Sequence, residues 1–348
     1  MNAADPVAQA VIYTRTGGPS VLHVVERPIP TPGAGEVRVS VRVSGVNPTD
    51  WKSRQGAAPG LPLAFPEIVP NQDGAGIIDA IGSGVEGLAV GQRVWIWEAA
   101  WQRANGTAQQ FVVLPASHTV PLPDEASFDL GASLGIPALT AHRCLTISAL
   151  GSNRLAPGAL GGVTVLVAGG AGAVGHAAIQ LARWAGATVI TTVSSAAKEA
   201  LVRAAGAHHV VHYRTQDAAA SVRALAPNGV DIVVEVAAAE NSEWTANVMA
   251  PNGVVAIYSD NGGSQVTLPI RAHMVTNTRI QFVLVYTVDP VSKARAVADV
   301  SAAVTDGALS VGESGGLPLH RFALDRTDAA HAAVQAAVIG KVLIDIPG

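Results

Sequence analysis

Residues 163–175 read Val-Thr-Val-Leu-Val-Ala-Gly-Gly-Ala-Gly-Ala-Val-Gly. Gly170, Gly172 and Gly175 stand in the pattern G-x-G-x-x-G. The pattern directly follows an apolar strand and opens a helix, which is the setting that gives it chemical meaning. The first glycine permits a tight turn. The second lets the backbone come close to a pyrophosphate, and the third lets the helix pack tightly on the strand. The N–H groups of Ala173, Val174 and Gly175 then face the phosphates from the start of the helix. A tight strand-to-helix turn without a ligand would use the same residues. The alternating strands and helices around this one favour a bound dinucleotide.

The next strand decides which dinucleotide. A site for NAD places an acidic residue about 20 residues on, where it binds the ribose 2′-hydroxyl. Here the strand Thr188–Val193 ends in Ser194-Ser195, with no carboxylate at that point. Small hydroxyls admit a 2′-phosphate and can donate to it. Lys198 lies one helical turn beyond, and Tyr213-Arg214 follows the third strand. Charge-assisted bonds from such groups to a phosphate dianion are strong. Lys198 and Arg214 also suit a solvated face. Ser194, Lys198 and Tyr213 together select NADPH over NADH.

These residues need a framework. From residue 163 onwards strands and helices alternate: strand Val163–Ala168, helix Ala173–Ala185, strand Thr188–Val193, helix Ala196–Ala205, strand His209–His212, helix Ala218–Leu225, strand Asp231–Val236, helix Ser242–Met249 and strand Gly253–Tyr258. Continuous apolar strands between helices predict a doubly wound parallel sheet of Rossmann type, covered on both faces. Ile280–Tyr286 is expected to be its last strand, Val291–Val304 a helix, and Ala138–Leu150 a helix leading in. Residues before about 128 read instead as short strands broken by Gly and Pro: Ala10–Tyr13, Leu22–Glu26, Glu36–Ser44, Gly74–Gly82, Arg93–Trp97 and Gln109–Leu114. Val37, Val39, Val41 and Val43 alternate with Arg38, Ser40 and Arg42, the pattern of a half-buried strand. A β-rich barrel or sandwich follows. The expected domains are 1–128 with 287–348, closing on a strand Lys341–Ile346, and 129–286.

Composition narrows the function further. The chain has 348 residues, 49% hydrophobic and 14% charged, so a folded two-domain protein is expected and disorder is not. A net charge of −4 and the lack of any basic run argue against nucleic acid. Cys144 is the one cysteine, which excludes an intramolecular disulfide and a multi-cysteine metal site. Met1–Ala10 lacks the basic start and apolar block of a signal peptide. No apolar stretch is long enough to span a membrane. A cytoplasmic protein is the expectation.

The order of β-rich part, Rossmann part and C-terminal return resembles the medium-chain dehydrogenase/reductase superfamily over nearly the whole chain. The resemblance implies a GroES-like barrel as the catalytic domain. Zinc-dependent members of that superfamily carry cysteine and histidine ligands. Here Ser44-Gly45-Val46-Asn47-Pro48-Thr49-Asp50 stands where the first cysteine is expected, and Gln72, in Pro70-Asn71-Gln72-Asp73-Gly74, stands where a histidine is expected. No metal site is expected. Gly45-Val46-Asn47-Pro48, Leu134-Gly135-Ile136-Pro137-Ala138-Leu139-Thr140-Ala141, Ala171–Gly175 and Gly340-Lys341-Val342-Leu343 resemble the zinc-free quinone oxidoreductase, or ζ-crystallin-like, family.

That resemblance implies that Asn47 and Thr140 line the nicotinamide end of the site, and that Lys341 belongs to the cofactor-binding set. An asparagine amide can hold the substrate carbonyl oxygen or the nicotinamide carboxamide without adding charge, so Asn47 is both a catalytic and a cofactor-binding candidate. An Asn-Pro turn residue capping its own backbone would look the same. The chain departs from the family after this turn: Thr49-Asp50-Trp51-Lys52 puts Lys52 where a tyrosine is expected, a form closer to enoyl reductases. Lys52 joins Asn47 and Thr140 as a catalytic candidate, to stabilise an enolate oxygen or supply a proton. It also suits a surface position. Asp50 is expected to pair with Lys52 or Arg54. Trp95, Trp97 and Trp101 would stack on a quinone, although Trp95 suits core packing better. His208, His209 and His212 show no ligand spacing and read as structural or solvated.

The expected activity is zinc-independent, NADPH-dependent hydride transfer to quinones or other α,β-unsaturated carbonyl compounds, with a small-molecule substrate as the partner. Reduction of 2-enals or enoyl thioesters is the alternative, and a non-catalytic NADPH-binding sensor is a third. The resemblance also implies a homodimer formed through the edge strand Gln281–Tyr286.

Overall fold

A computed structural model describes residues 6–147 and 153–348. The expected helix end at Leu150 and the first half of the Met1–Ala10 segment lie outside the described residues. The chain divides into two compact units. One is Met1–Ile136 with Leu319–Gly348, and the other is Pro137–Pro318.

The first unit begins with β1 (Val7–Ile12), β2 (His23–Pro28) and β3 (Glu36–Val46). Helix α1 (Pro48–Gln55) follows, then β4 (Asp73–Ile81), β5 (Arg93–Ile96), β6 (Phe111–Pro115) and β7 (Thr119–Pro121). The alternation in β3 is met as expected: Val37, Val39 and Val41 are buried in the core. Helix α2 (Phe128–Thr146) starts well before the expected Ala138 and carries Pro137 inside it. Proline removes an N–H and usually marks a boundary. Here Leu130, Leu134 and Ile136 are buried on the preceding turns, and this burial carries the helix back to Phe128.

The second unit holds β8 (Thr164–Ala168), α3 (Ala173–Trp184), β9 (Thr188–Val193), α4 (Ala196–Ala204), β10 (His209–His212) and α5 (Ala218–Leu225). It continues with β11 (Val230–Glu235), α6 (Ala238–Ala246), β12 (Met249–Ile257), α7 (Ile270–Thr276), β13 (Arg279–Phe282) and α8 (Pro290–Thr305). Among the described residues, six strands pair in the order β10-β9-β8-β11-β12-β13, all parallel. This is the doubly wound order, in which ligands bind at the carboxyl ends of the strands where the order reverses. Val165, Leu166 and Val167 on β8 are all fully buried, because helices cover both faces of the sheet.

Further expectations need correcting, among them the helix expected at Ser242–Met249, which lies at Ala238–Ala246 while Met249 opens β12. The strand expected at Ile280–Tyr286 ends at Phe282, and Val283, Val285 and Tyr286 turn into the interior. Residues 287–318, expected with the β-rich part, belong to the second unit. The reason lies in α8. Ala296, Val300 and Ala303 bury its inner face, and Asp299 is 2% exposed. Its carboxylate accepts from His142 Nε2 at 2.8 Å, from the Leu155 N–H at 2.7 Å and from Arg154 Nε at 2.7 Å. Burial would raise the Asp299 pKa, but these three donors outweigh it and bring it to about 2.

The chain then returns through β14 (Leu319–Ala323), α9 (Thr327–Gln335) and β15 (Lys341–Asp345). Among the described residues, the main sheet of the first unit runs β14-β15-β3-β4-β5-β7, with β6 also pairing β3. No described helix is long and apolar enough to cross a membrane.

Candidate functional site

The first unit gathers a buried polar cluster at one end of three adjacent strands. Register does the gathering. In β3–β4 pairing Gly45 faces Asp73, and in β15–β3 pairing Val342 faces Val46. Asn47, Asp73 and Lys341 therefore fall side by side, at 3%, 0% and 2% exposure. Asn47 has extended backbone angles and is the N-cap of α1, with Pro48 opening the helix. Its side-chain amide is held at both ends. Nδ2 donates to Asp73 Oδ2 at 2.7 Å, and Oδ1 accepts from Lys341 Nζ at 2.7 Å. Lys341 Nζ lies 3.6 Å from Asp73 Oδ2, and Asp73 Oδ1 accepts from the Ile136 N–H at 2.9 Å.

Two glycines make room for this cluster. A Cβ on Gly45 would lie 2.0 Å from the Ala132 carbonyl oxygen, and one on Gly135 would lie 2.1 Å from Asp73 Oδ1. Neither position admits alanine without moving the network.

Asp50 turns inward and accepts the Asn47 N–H at 2.6 Å through Oδ2, while its Oδ1 has no hydrogen-bond partner among the described residues. Burial, and the neighbouring Asp73, push its pKa up to about 8 against the pull of the Asn47 and Gln72 N–H groups and Lys341. Burial pushes Asp73 up and Lys341 down in the same way, and their mutual attraction opposes both shifts. A second layer supports the first. His331 Nε2 donates to Asn71 Oδ1 at 2.9 Å, Asn71 Nδ2 donates to Ser44 Oγ at 2.9 Å, and Ser44 and Thr107 hydroxyls meet at 2.7 Å. Burial, and the nearby Arg54, bring the His331 pKa down to about 3, so its ring is neutral.

Lys52 stands on the exposed side of α1, with Nζ 5.9 Å from the centre of the Trp51 ring. The lysine that touches Asn47 is Lys341. Arg54 is fully buried and donates to Gln335 Oε1 at 3.1 Å. Trp95 is core, and Trp97 stacks on His118 with ring centres 4.4 Å apart. Trp101 is half-buried.

In the second unit the glycine loop has the expected form with one change of role. Gly169, not Gly170, takes the left-handed turn, at φ +68. Gly170 is required by space, since a Cβ there would lie 2.2 Å from Thr191 Oγ1. Gly175 is required for the same reason, 2.6 Å from the Gly169 carbonyl oxygen. Gly172 differs, because a Cβ there would meet nothing nearer than 3.6 Å. The protein itself leaves that space open. Gly172 is the N-cap of α3 and offers no side chain to the opening N–H groups, those of Ala173, Val174 and Gly175. This cradle fits a pyrophosphate.

Beside it, the Tyr213 N–H donates to the Val193 carbonyl at 3.2 Å, which brings Tyr213 next to Ser194 at the strand ends. Ser195 caps α4, accepting the Lys198 N–H at 3.4 Å. Ser194, Lys198 and Tyr213 thus share one end of β9 and β10, with Lys198 half-buried and Tyr213 exposed. Glu199, which sequence reasoning passed over, also stands there. His212 Nε2 donates to it at 2.6 Å and Arg203 Nε at 2.7 Å, and these bonds hold its pKa below the usual range. Thr140 is buried in α2.

The donor set does not fit zinc. The Ser44 hydroxyl is committed to Thr107 and Asn71, and Gln72 Oε1 accepts the Ala100 N–H at 3.0 Å. Cys144 is buried, and burial pushes its thiol up to about 12. Among the described residues no group of three His, Cys, Asp or Glu side chains converges as metal ligands would.

Residues 33–124 match the alcohol dehydrogenase GroES-like domain and residues 173–302 the zinc-binding dehydrogenase domain. The chain is 31% identical over 271 residues to the quinone oxidoreductase of Rattus norvegicus, covering 76% of this chain and 77% of that protein. It is 30% identical over 255 residues to the synaptic vesicle membrane protein VAT-1 homolog of the same species, covering 73% of this chain. The match spans 59% of that relative's length. Among solved structures, a mycobacterial quinone oxidoreductase aligns with a TM-score of 0.81 at 28% identity, covering 97% of this chain and 99% of that one. A mycobacterial structure complexed with NADPH aligns at 0.79 and 29%, with the same coverage. A GroES-like domain and a Rossmann sheet make up the fold, and the chain belongs to the quinone oxidoreductase family of the medium-chain dehydrogenase/reductase superfamily, a family of oxidoreductases.

Proposed function

We propose that the chain is an NADPH-dependent reductase of quinones and related α,β-unsaturated carbonyl compounds that works without zinc. The observation that carries the reading is the buried Asn47 amide, oriented by two partners and standing beside a donor set unsuited to zinc. An amide has two N–H donors, and Asp73 takes one. The other binds the substrate carbonyl oxygen and stabilises the negative charge that develops on it, in the manner of an oxyanion hole. The loop from Gly170 to Gly175 holds the pyrophosphate, and Ser194, Lys198 and Tyr213 hold the 2′-phosphate. When bound, the reduced nicotinamide supplies the hydride. Thr140 contributes to the nicotinamide site. Lys52, on the solvated side of α1, contributes through long-range charge.

The reading is tested by following absorbance at 340 nm with 1,4-benzoquinone, 9,10-phenanthrenequinone, 2-hexenal and crotonyl-CoA, each with NADPH and with NADH. Turnover of the quinones with NADPH preferred supports it. Turnover confined to the enal or the thioester moves the assignment to an enoyl-type reductase. Tight NADPH binding with no turnover points to the sensor.

Lys198→Ala is expected to raise the KM for NADPH roughly tenfold to a hundredfold, the worth of a charge-assisted bond. The KM for NADH is expected to stay near wild type. Equal losses with both cofactors would contradict the phosphate role.

We also propose that a second copy pairs along β13, the outer strand of the parallel sheet. Phe282 at the end of β13 and Leu284 just beyond it are 65% and 52% exposed, and uncovered apolar edges are a liability that association removes. Sedimentation of the wild type as a dimer, and of Phe282→Lys as a monomer, is expected. A monomeric wild type would refute the pairing.

A further inference from the structure

We propose that Asp73 and Lys341 are positioning residues that lock the Asn47 amide in one of its two flip states, so that its free N–H is presented to the substrate carbonyl oxygen. The inference rests on the reading of Asn47 as the group that binds that oxygen.

A carboxamide can rotate by half a turn about its last bond with almost no change of shape, exchanging oxygen for NH2. A site that needs an N–H at one point must therefore forbid the flipped form. A lysine ammonium only donates, and a carboxylate only accepts. Lys341 Nζ stands 2.7 Å from Asn47 Oδ1, and Asp73 Oδ2 stands 2.7 Å from Asn47 Nδ2. Flipping the amide would set NH2 against the ammonium and oxygen against the carboxylate, two repulsive contacts in place of two charge-assisted bonds. Neutral partners such as serine or glutamine would accept either form.

The two partners are themselves fixed. Asp73 opens β4, and its second oxygen accepts the Ile136 N–H. Lys341 opens β15, beside Asn47 through the Val342–Val46 pairing. At 3.6 Å the two charges balance each other, so the lock adds no net charge to the site. A buried ion pair is often no more stabilising than apolar residues of the same volume, so its presence here is better explained by orientation than by stability. Lys341 also draws electron density toward Oδ1 and so makes the opposite N–H of Asn47 a stronger donor.

The test uses Lys341→Met, Lys341→Arg, Asp73→Asn, Asn47→Ala and the Asn47→Ala/Lys341→Met double variant. It measures kcat for 1,4-benzoquinone, NADPH affinity by fluorescence, and the side-chain 1H–15N signals of Asn47. Lys341→Met and Asp73→Asn are expected to lower kcat by on the order of tenfold to a hundredfold, as a misplaced group does. NADPH affinity is expected to stay within about twofold, Lys341→Arg to recover most of the loss, and the double variant to fall no lower than Asn47→Ala alone, because residues acting as one unit are not additive. Multiplied losses in the double variant, or an unchanged kcat in Lys341→Met, would overturn the proposal. If Lys341→Met does not fold, Lys341→Gln takes its place with the same expectations. If Asn47→Ala turns over like wild type, the carbonyl-binding reading fails. The lock is then judged by the Asn47 signals alone: displaced and broadened in Lys341→Met they sustain it, and unchanged they end it.

Discussion

Asn47→Ala is expected to lower kcat by on the order of a hundredfold or more while leaving NADPH binding within about twofold, because the loss is of one donor to a developing oxyanion. The split follows from where the residue sits. Asn47 belongs to the first unit, and the glycine loop and the phosphate-binding ends of β9 and β10 belong to the second. Loss of the amide also leaves two buried groups with one partner fewer, Asp73 and Lys341, which then turn to each other across their 3.6 Å gap. A modest fall in melting temperature is expected with it. Measuring kcat, KM and cofactor affinity on the same preparation separates the effects. A large fall in NADPH affinity with kcat intact would place Asn47 in cofactor binding alone.

The second large effect is a contrast between two glycines three residues apart. Gly172→Ala is expected to melt with the wild type, because the new methyl meets no protein atom nearer than 3.6 Å. It is expected to lose at least about tenfold in NADPH affinity, because the methyl stands where a pyrophosphate comes close to the backbone. Gly175→Ala should do the opposite first. Its methyl would lie 2.6 Å from the Gly169 carbonyl oxygen and 2.8 Å from the Gly170 Cα. Helix α3 must then shift away from β8, at a cost of about 1–3 kcal/mol for overpacking. That corresponds to roughly 2–4 °C in melting temperature for each kcal/mol. Thermal melts with and without NADPH read both effects. If Gly172→Ala binds NADPH like wild type, the loop is a turn and not a cradle.

The Rossmann half was legible because its signals are local. Thr188–Val193, His209–His212 and Ala218–Leu225 have the bounds expected of them, since each is an apolar or amphipathic run closed by turn residues. The glycine loop was legible for the same reason, although Gly169 takes the turn expected of Gly170, because neither spacing nor type tells which of two adjacent glycines turns left-handed. Helix α2 was misplaced at its start because Pro137 reads as a boundary while burial at Leu130 and Leu134 overrides it. Helix α7 (Ile270–Thr276) was missed, being a short turn that carries exposed Ile270, Met274 and Val275.

The centre of the site was half legible. Asn47 and Lys341 were both singled out, but nothing in the sequence joins residues 47, 73 and 341. Only the strand order β15-β3-β4 does so. Asp73 carries no signal of its own in the sequence, where its neighbour Gln72 is the residue that stands out, at the place of a metal ligand. Lys52 is a catalytic candidate of the sequence because it stands where the family's tyrosine is expected, and Lys341 is there only a cofactor-binding candidate. Helix α1 turns Lys52 outward, whereas the sheet brings Lys341 in.

The proposed reaction passes hydride directly from NADPH to an electrophilic carbonyl compound. The most direct measurement is single-turnover oxidation of NADPH by 1,4-benzoquinone, with deuterium placed on one face or the other of nicotinamide C4. Oxidation is expected to be slower with deuterium on one face and essentially unchanged with it on the other. Equal rates with both labelled cofactors, accompanied by a semiquinone signal in electron paramagnetic resonance, would contradict it.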